Sequence, residues 1–168
     1  MVSRRRFLTS LAASGAALAA ASAFVPNAVA HATSVSPATA PWTPRYDPLG
    51  RFEVQVFDQP YRQAGQQSLQ ARVYQPQGSG PFPALLEIHG GVWTDNDRTF
   101  DEPVNKLLAA TGVVVVAIDV RQGAADPYPS SLADINLATR WLKAHAADFN
   151  VDKRLIGGFG GSSGGHLI

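Results

Sequence analysis

Two kinds of apolar pattern divide the chain. Phe52-Glu53-Val54-Gln55-Val56-Phe57 and Leu69-Gln70-Ala71-Arg72-Val73-Tyr74 alternate apolar with polar positions. That is the period of a strand with one face in a core. The two segments predict a hairpin whose connection, residues 58–67, contains Pro60 and Gly65. From residue 81 the pattern changes. Residues 84–88 and 113–118 are nearly continuous apolar runs, as expected of central strands covered on both faces. Between them, residues 101–111 place Val104, Leu107 and Leu108 at helical spacing, with Gly112 closing the segment. A second helix follows Ser130 or Ser131, either of which can cap it. Its apolar face is Leu132, Ile135, Ala138, Trp141, Leu142 and His145. Residues 154–159 form the next strand expectation, weakened by Gly157 and Gly158. The order β-β-β-α-β-α-β and then a turn into a helix predicts an α/β sheet with helices on both faces.

Composition sharpens this picture at the N-terminus. The 168 residues carry 14 Lys+Arg and 13 Asp+Glu, a net charge of +1, and no cysteine. This balance excludes a basic nucleic-acid surface and a disulfide scaffold. The charge is unevenly placed, however. Arg4, Arg5 and Arg6 precede an uncharged Ala/Leu/Ser stretch over residues 7–25, then Ala28-Val29-Ala30, and no acidic residue occurs before Asp47. Such a sequence is an export signal with a small-residue cleavage site. Ser3-Arg4-Arg5-Arg6-Phe7-Leu8 is similar to the twin-arginine consensus. Residues 1–30 are therefore expected to direct the chain to the twin-arginine export machinery and to be cleaved after Ala30, leaving a mildly acidic remainder in the periplasm or outside the cell. Stable membrane anchoring is not expected, since Ala and Ser add little to insertion. Residues 31–50, rich in Pro, Ala and Ser, read as a linker, and residues 51–168 as the folded part.

The glycine-rich segments carry the candidate chemistry. Gly161-Ser162-Ser163-Gly164-Gly165 reads G-x-S-x-G directly after a strand and before a helix, the context of a nucleophile elbow. Ser163 is the preferred nucleophile. Ser162 is the alternative, because Gly160 and Gly164 frame it in the same pattern. His89-Gly90-Gly91 follows the strand ending at Ile88. Its glycines let backbone amides turn toward a developing oxyanion.

These motifs, with Val92-Trp93, Asp119-x-Arg121 and Gly165-His166, resemble the α/β-hydrolase superfamily. They are most similar to its esterase branch, which holds hormone-sensitive-lipase-like and feruloyl- or acetyl-xylan-esterase-like members. The resemblance implies an α/β-hydrolase-type, mostly parallel sheet and a serine carboxylesterase acting on small-molecule esters through an acyl-enzyme. By position it implies Ser163 as nucleophile and Gly90, Gly91 and Gly164 as oxyanion donors. His89 would support the oxyanion loop and Trp93 would line the substrate entrance. It implies no cofactor. No metal is assigned either, since Asp95, Asp97 and Asp101 lack the spacing of a calcium loop. Arg121 and Asp134 are expected to pair structurally.

Family order is serine, then acid, then histidine, and only five residues follow Ser163. His31, His89, His145 and His166 are all poor candidates for the general base. The sequence is thus expected to be the N-terminal portion of a hydrolase, nearly inactive by itself, with residues 154–160 left as an exposed sheet edge. Rival readings are a non-catalytic or decayed hydrolase-derived protein and a prolyl-oligopeptidase-like peptidase. His89-Gly90-Gly91 favours the esterase.

Overall fold

In the computed structural model, which describes residues 46–168, the alternating segments pair as the expected hairpin. The export signal, its cleavage site and most of the linker lie outside the described residues. Strand β1 (Val54–Ala64) runs antiparallel to β2 (Gln67–Pro76). The connection is far shorter than residues 58–67. Only Gly65 and Gln66 turn the chain, with Gly65 at φ 61°. Pro60 does not end β1, because β1 lies at the edge of the sheet and no strand among the described residues needs the missing N–H on its outer side. A register shift between Pro60 and Arg62 turns Tyr61 inward, where it is buried.

The continuous apolar runs become β3 (Phe82–Ile88) and β4 (Val114–Ile118), and β5 spans Val151–Gly160. Sheet order is β1-β2-β4-β3-β5. β3 is parallel to both β4 and β5, whereas β2 meets β4 antiparallel. All five β4 residues are buried. Helices α1 (Glu102–Ala110) and α2 (Ser130–Ala144) cover opposite faces. On one, Ile135, Ala138 and Leu142 of α2 pack with Leu86, Ile88, Val114, Val116 and Ile118. On the other, Ala109 and Leu108 of α1 meet Tyr74, Val115 and Ala117. Each fully buried large aliphatic contributes roughly 1.5–3 kcal/mol. Both faces of β4 are therefore core.

The inward face of α1 differs from the one its apolar spacing predicts. Val104 and Leu107 are exposed, and Asn105 and Ala109 are buried. The sheet explains the rotation. Glu87 of β3 is fully buried under this helix, and Asn105 Nδ2 approaches its Oε2 at 3.5 Å. A buried carboxyl needs a polar partner more than an exposed face needs to be polar. The expected Ser cap of α2 is also corrected. Pro129 occupies the cap position without a side-chain bond, and Ser131 Oγ instead donates to the Arg121 carbonyl at 2.8 Å.

Polar groups lock the ends of the sheet. Asp134 is fully buried and accepts from Arg121 Nε and Nη2, each at 3.0 Å, and from Arg62. This is the expected Arg121–Asp134 pairing, in bidentate form. Asp119, just past β4, accepts from the Gln70 and Arg98 amides and from Arg98 Nη1. Arg98 and Arg72 both reach Asp58, and the Arg72 guanidinium in particular holds the Asp58 carboxyl well below the usual range.

Candidate active site

The elbow forms where β5 ends and α3 (Ser163–Leu167) begins. Ser162 sits between them at φ 50°, ψ −121° and is exposed. A non-glycine residue at positive φ is uncommon and costs on the order of 1–3 kcal/mol. Ser163, by contrast, is buried in the first helical turn. The preference for Ser163 as the strained, outward-facing serine is therefore corrected: the alternative frame holds, with Gly160 and Gly164 flanking Ser162. Sterics give the same register. A Cβ on Gly160 would lie 2.7 Å from the Ile88 carbonyl oxygen, and one on Gly164 only 2.0 Å from it. A Cβ on Gly161 would meet nothing within 4 Å. Both glycines two residues either side of Ser162 are thus required; of the pair that frames Ser163, Gly165 is tight as well, its Cβ 2.8 Å from the Gly160 carbonyl oxygen, but Gly161 is not.

This shift bears on the expected oxyanion donors. The Gly164 amide already donates to the Gly161 carbonyl at 2.8 Å, so the expected donor role for Gly164 is corrected too. Ser163 N–H occupies the first helical position, where no intrahelical acceptor exists.

The second glycine motif lies directly against the elbow. An ideal Cβ on Gly90 would stand 3.5 Å from Ser162 Cβ and 3.4 Å from the Gly161 carbonyl oxygen. Gly90 therefore abuts the serine with no side chain between them. Gly91, at φ 129°, could not carry a side chain, since its Cβ would lie 1.9 Å from the Asp95 carbonyl oxygen. His89 is buried, and its Nδ1 lies 2.7 Å from the Gly90 carbonyl. A carbonyl only accepts, so Nδ1 carries the proton and ties the loop to itself. Its Nε2 is buried without a hydrogen-bond partner. Asn96 Nδ2 donates to the same carbonyl at 3.2 Å, a contact the sequence reading missed. Asn96 itself stands at φ 89°, and an asparagine six residues beyond a glycine turn is the signal that was available.

Trp93 is half exposed at φ 62°, next to Val92 at φ 57°. Its ring meets that of His166 edge-on, with centroids 5.5 Å apart and planes at 84°. Together they line a cleft of about 270 Å³ with Gln122, Asp126, Tyr128 and Leu167. No imidazole among the described residues is hydrogen-bonded to Ser162. His145 pairs with Asp148 at 2.8 Å and stacks near Trp141, and His89 and His166 are engaged as above. Among the described residues no group of three or more His, Asp or Glu is arranged to hold a metal, and no helix is long and apolar enough to cross a membrane.

A parallel β4-β3-β5 core, a strained serine at a strand-to-helix turn and a glycine loop against it define an α/β-hydrolase. The BD-FAE family model matches residues 72–168, and the chain belongs to that family. The probable carboxylic ester hydrolase LipM of Mycobacterium tuberculosis is 38% identical over 90 residues, 53% of this chain and 21% of LipM. Esterase LipQ of the same organism is 28% identical over 124 residues, 71% of this chain and 29% of LipQ. Among solved structures, a bacterial heroin esterase superposes with a TM-score of 0.63 at 26% identity, over 68% of this chain and 37% of that one. The native esterase Est2 of the Planctomycetes species Thermogutta terrifontis gives 0.60 at 31% identity, over 69% of this chain and 42% of Est2. The chain thus spans less than half the length of each of these relatives.

Proposed function

We propose that this chain carries the nucleophile and oxyanion half of an exported serine esterase acting on small-molecule esters. The observation that carries the reading is the strained, exposed Ser162 with Gly90 against it. Ser162 Oγ attacks the ester carbonyl, and the carbonyl oxygen takes the negative charge. The amides of Ser163 and of the Gly90-Gly91 turn stabilise that charge, each donor being worth about 10²–10³ in rate. Collapse of the adduct expels the alcohol, its oxygen taking up a proton in place of the one lost from Ser162, and leaves an acyl-serine, which water then hydrolyses to the acid, returning a proton to Ser162 Oγ. Trp93 flanks the entrance. The esterase names of the relatives support this chemistry, and Arg4–Arg6 with the Ala28–Ala30 site supports twin-arginine export to the periplasm or beyond.

Proton removal from Ser162 needs a base, and none of His89, His145 and His166 is bonded to it. With no such base among the described residues, slow reaction at Ser162 is expected of the 168-residue chain in this reading. A fluorophosphonate probe with peptide mapping tests the assignment. Slow labelling confined to Ser162 and abolished in Ser162→Ala is expected. Label on Ser163, or label that survives Ser162→Ala, overturns it. Full-rate ester hydrolysis by the chain alone overturns the missing base.

A further inference from the structure

The loop between β3 and α1 is tied to the rest of the fold by the Arg98 guanidinium on Asp119 and Asp58, by Gln122 Nε2 on the Asn96 carbonyl, and by backbone bonds. The Gly91 carbonyl accepts from the Thr94 and Asp95 amides, at 3.0 and 3.2 Å, and the Trp93 carbonyl accepts from Gly123 N–H at 2.8 Å. Neither set reaches the helix that follows the serine. One side-chain contact does. The Trp93 ring meets the His166 ring at 5.5 Å, and His166 belongs to α3, its N–H directed at the Ser162 carbonyl at 3.3 Å. Trp93 is also where the loop is strained, since Val92 and Trp93 are consecutive non-glycine residues at positive φ. Such a pair persists only where surrounding contacts hold it. An aromatic contact at the strained crown, made by the helix that carries the elbow, is a contact of that kind.

We propose that His166 is a positioning residue that braces Trp93, holding the glycine loop at a fixed distance from Ser162. The proposal rests on the esterase reading for its catalytic meaning, but the brace itself is a physical contact with its own readout. It acts through ring packing, so a planar aromatic at 166 should replace it and a methyl should not.

Amide hydrogen exchange on the full chain tests it. In His166→Ala, amides of residues 91–97 should exchange about two- to tenfold faster, the population change an edge-on aromatic pair supports. In His166→Phe they should exchange at the wild-type rate. Residues 114–118, at the centre of the sheet, report global unfolding and should not change in either variant. Trp93→Ala removes the ring from the other side and should also loosen residues 91–97, which keeps the test decisive if His166→Ala unfolds. Unchanged exchange in the 91–97 loop on removing either ring overturns the brace. So does His166→Phe behaving like His166→Ala. Fluorophosphonate labelling of Ser162 is measured beside this. Loosening without any labelling leaves the brace standing and removes the esterase reading. Labelling without loosening does the reverse.

Discussion

Replacing Glu87 by glutamine should make the fold markedly less sensitive to alkali. Glu87 is fully buried on β3 beneath α1. Its Oε2 has one long contact from Asn105, and its Oε1 has no partner. Burial, reinforced by the nearby Asp101 carboxylate, pushes its pKa up from 4.5 to about 8. The folded state therefore holds this proton more tightly than the unfolded chain does. The resulting stability is fully present below about pH 4.5. It declines as the unfolded chain ionises and is lost as the pH rises through about 8. At about 1.4 kcal/mol per pKa unit, the loss between about 4.5 and about 8 is on the order of 5 kcal/mol. Asp58 and Asp152, both held low by arginines, titrate well below the window and do not interfere. Glutamine mimics the protonated acid at every pH. Denaturant titrations at pH 5, 7 and 9 should show the wild-type chain losing most of that energy while Glu87→Gln stays nearly flat. The two should converge at pH 4. Parallel curves for the two proteins would refute the reasoning, because a second group would then have to carry the pH dependence.

Other expectations follow from single contacts. Gly164→Ala drives a Cβ to 2.0 Å from the Ile88 carbonyl and should destabilise by about 3 kcal/mol or more, whereas Gly161→Ala meets open space and should melt within about 1 °C of wild type. Equal melts for the two would move the elbow register back by one residue. Asp134→Ala strands Arg62 and Arg121 beside a buried hole, and should cost about 3–5 kcal/mol in chemical denaturation. His145→Ala, which removes the Asp148, Trp141 and Phe149 contacts, should leave Ser162 labelling by a fluorophosphonate unchanged; a fall would assign it an unexpected part in the site.

The alternating and continuous apolar runs made the hairpin, the buried β3 and β4, and the two-faced sheet legible in the sequence. Patterning failed where polarity turned inward. The α1 face was misread because Val104 and Leu107 follow the helical period while the buried Glu87 demands Asn105 instead. Loop length failed at Pro60, which hydropathy treats as a breaker but an edge strand tolerates. The two glycine motifs were legible as a pair. The choice of serine was not, because two overlapping frames satisfy the same pattern. It turns on whether the strand runs to Gly160 or to Gly161, a one-residue question that local sequence cannot answer and backbone contact with Ile88 can.

Asp119 fastens more than the end of β4. By gripping both the amide and the guanidinium of Arg98, it gives the loop that leaves β3 at His89 a second footing on the sheet. The segment from His89 to Arg98 is an arch with two feet, not a free flap. Residues at its crown, such as Thr94 and Asp95, are exposed and lie between those feet. Lengthening or recolouring the crown changes what a substrate meets at the entrance while Gly90 stays against Ser162. Under the proposed esterase reading, insertion at this one short span would alter ester preference and leave the nucleophile where it was.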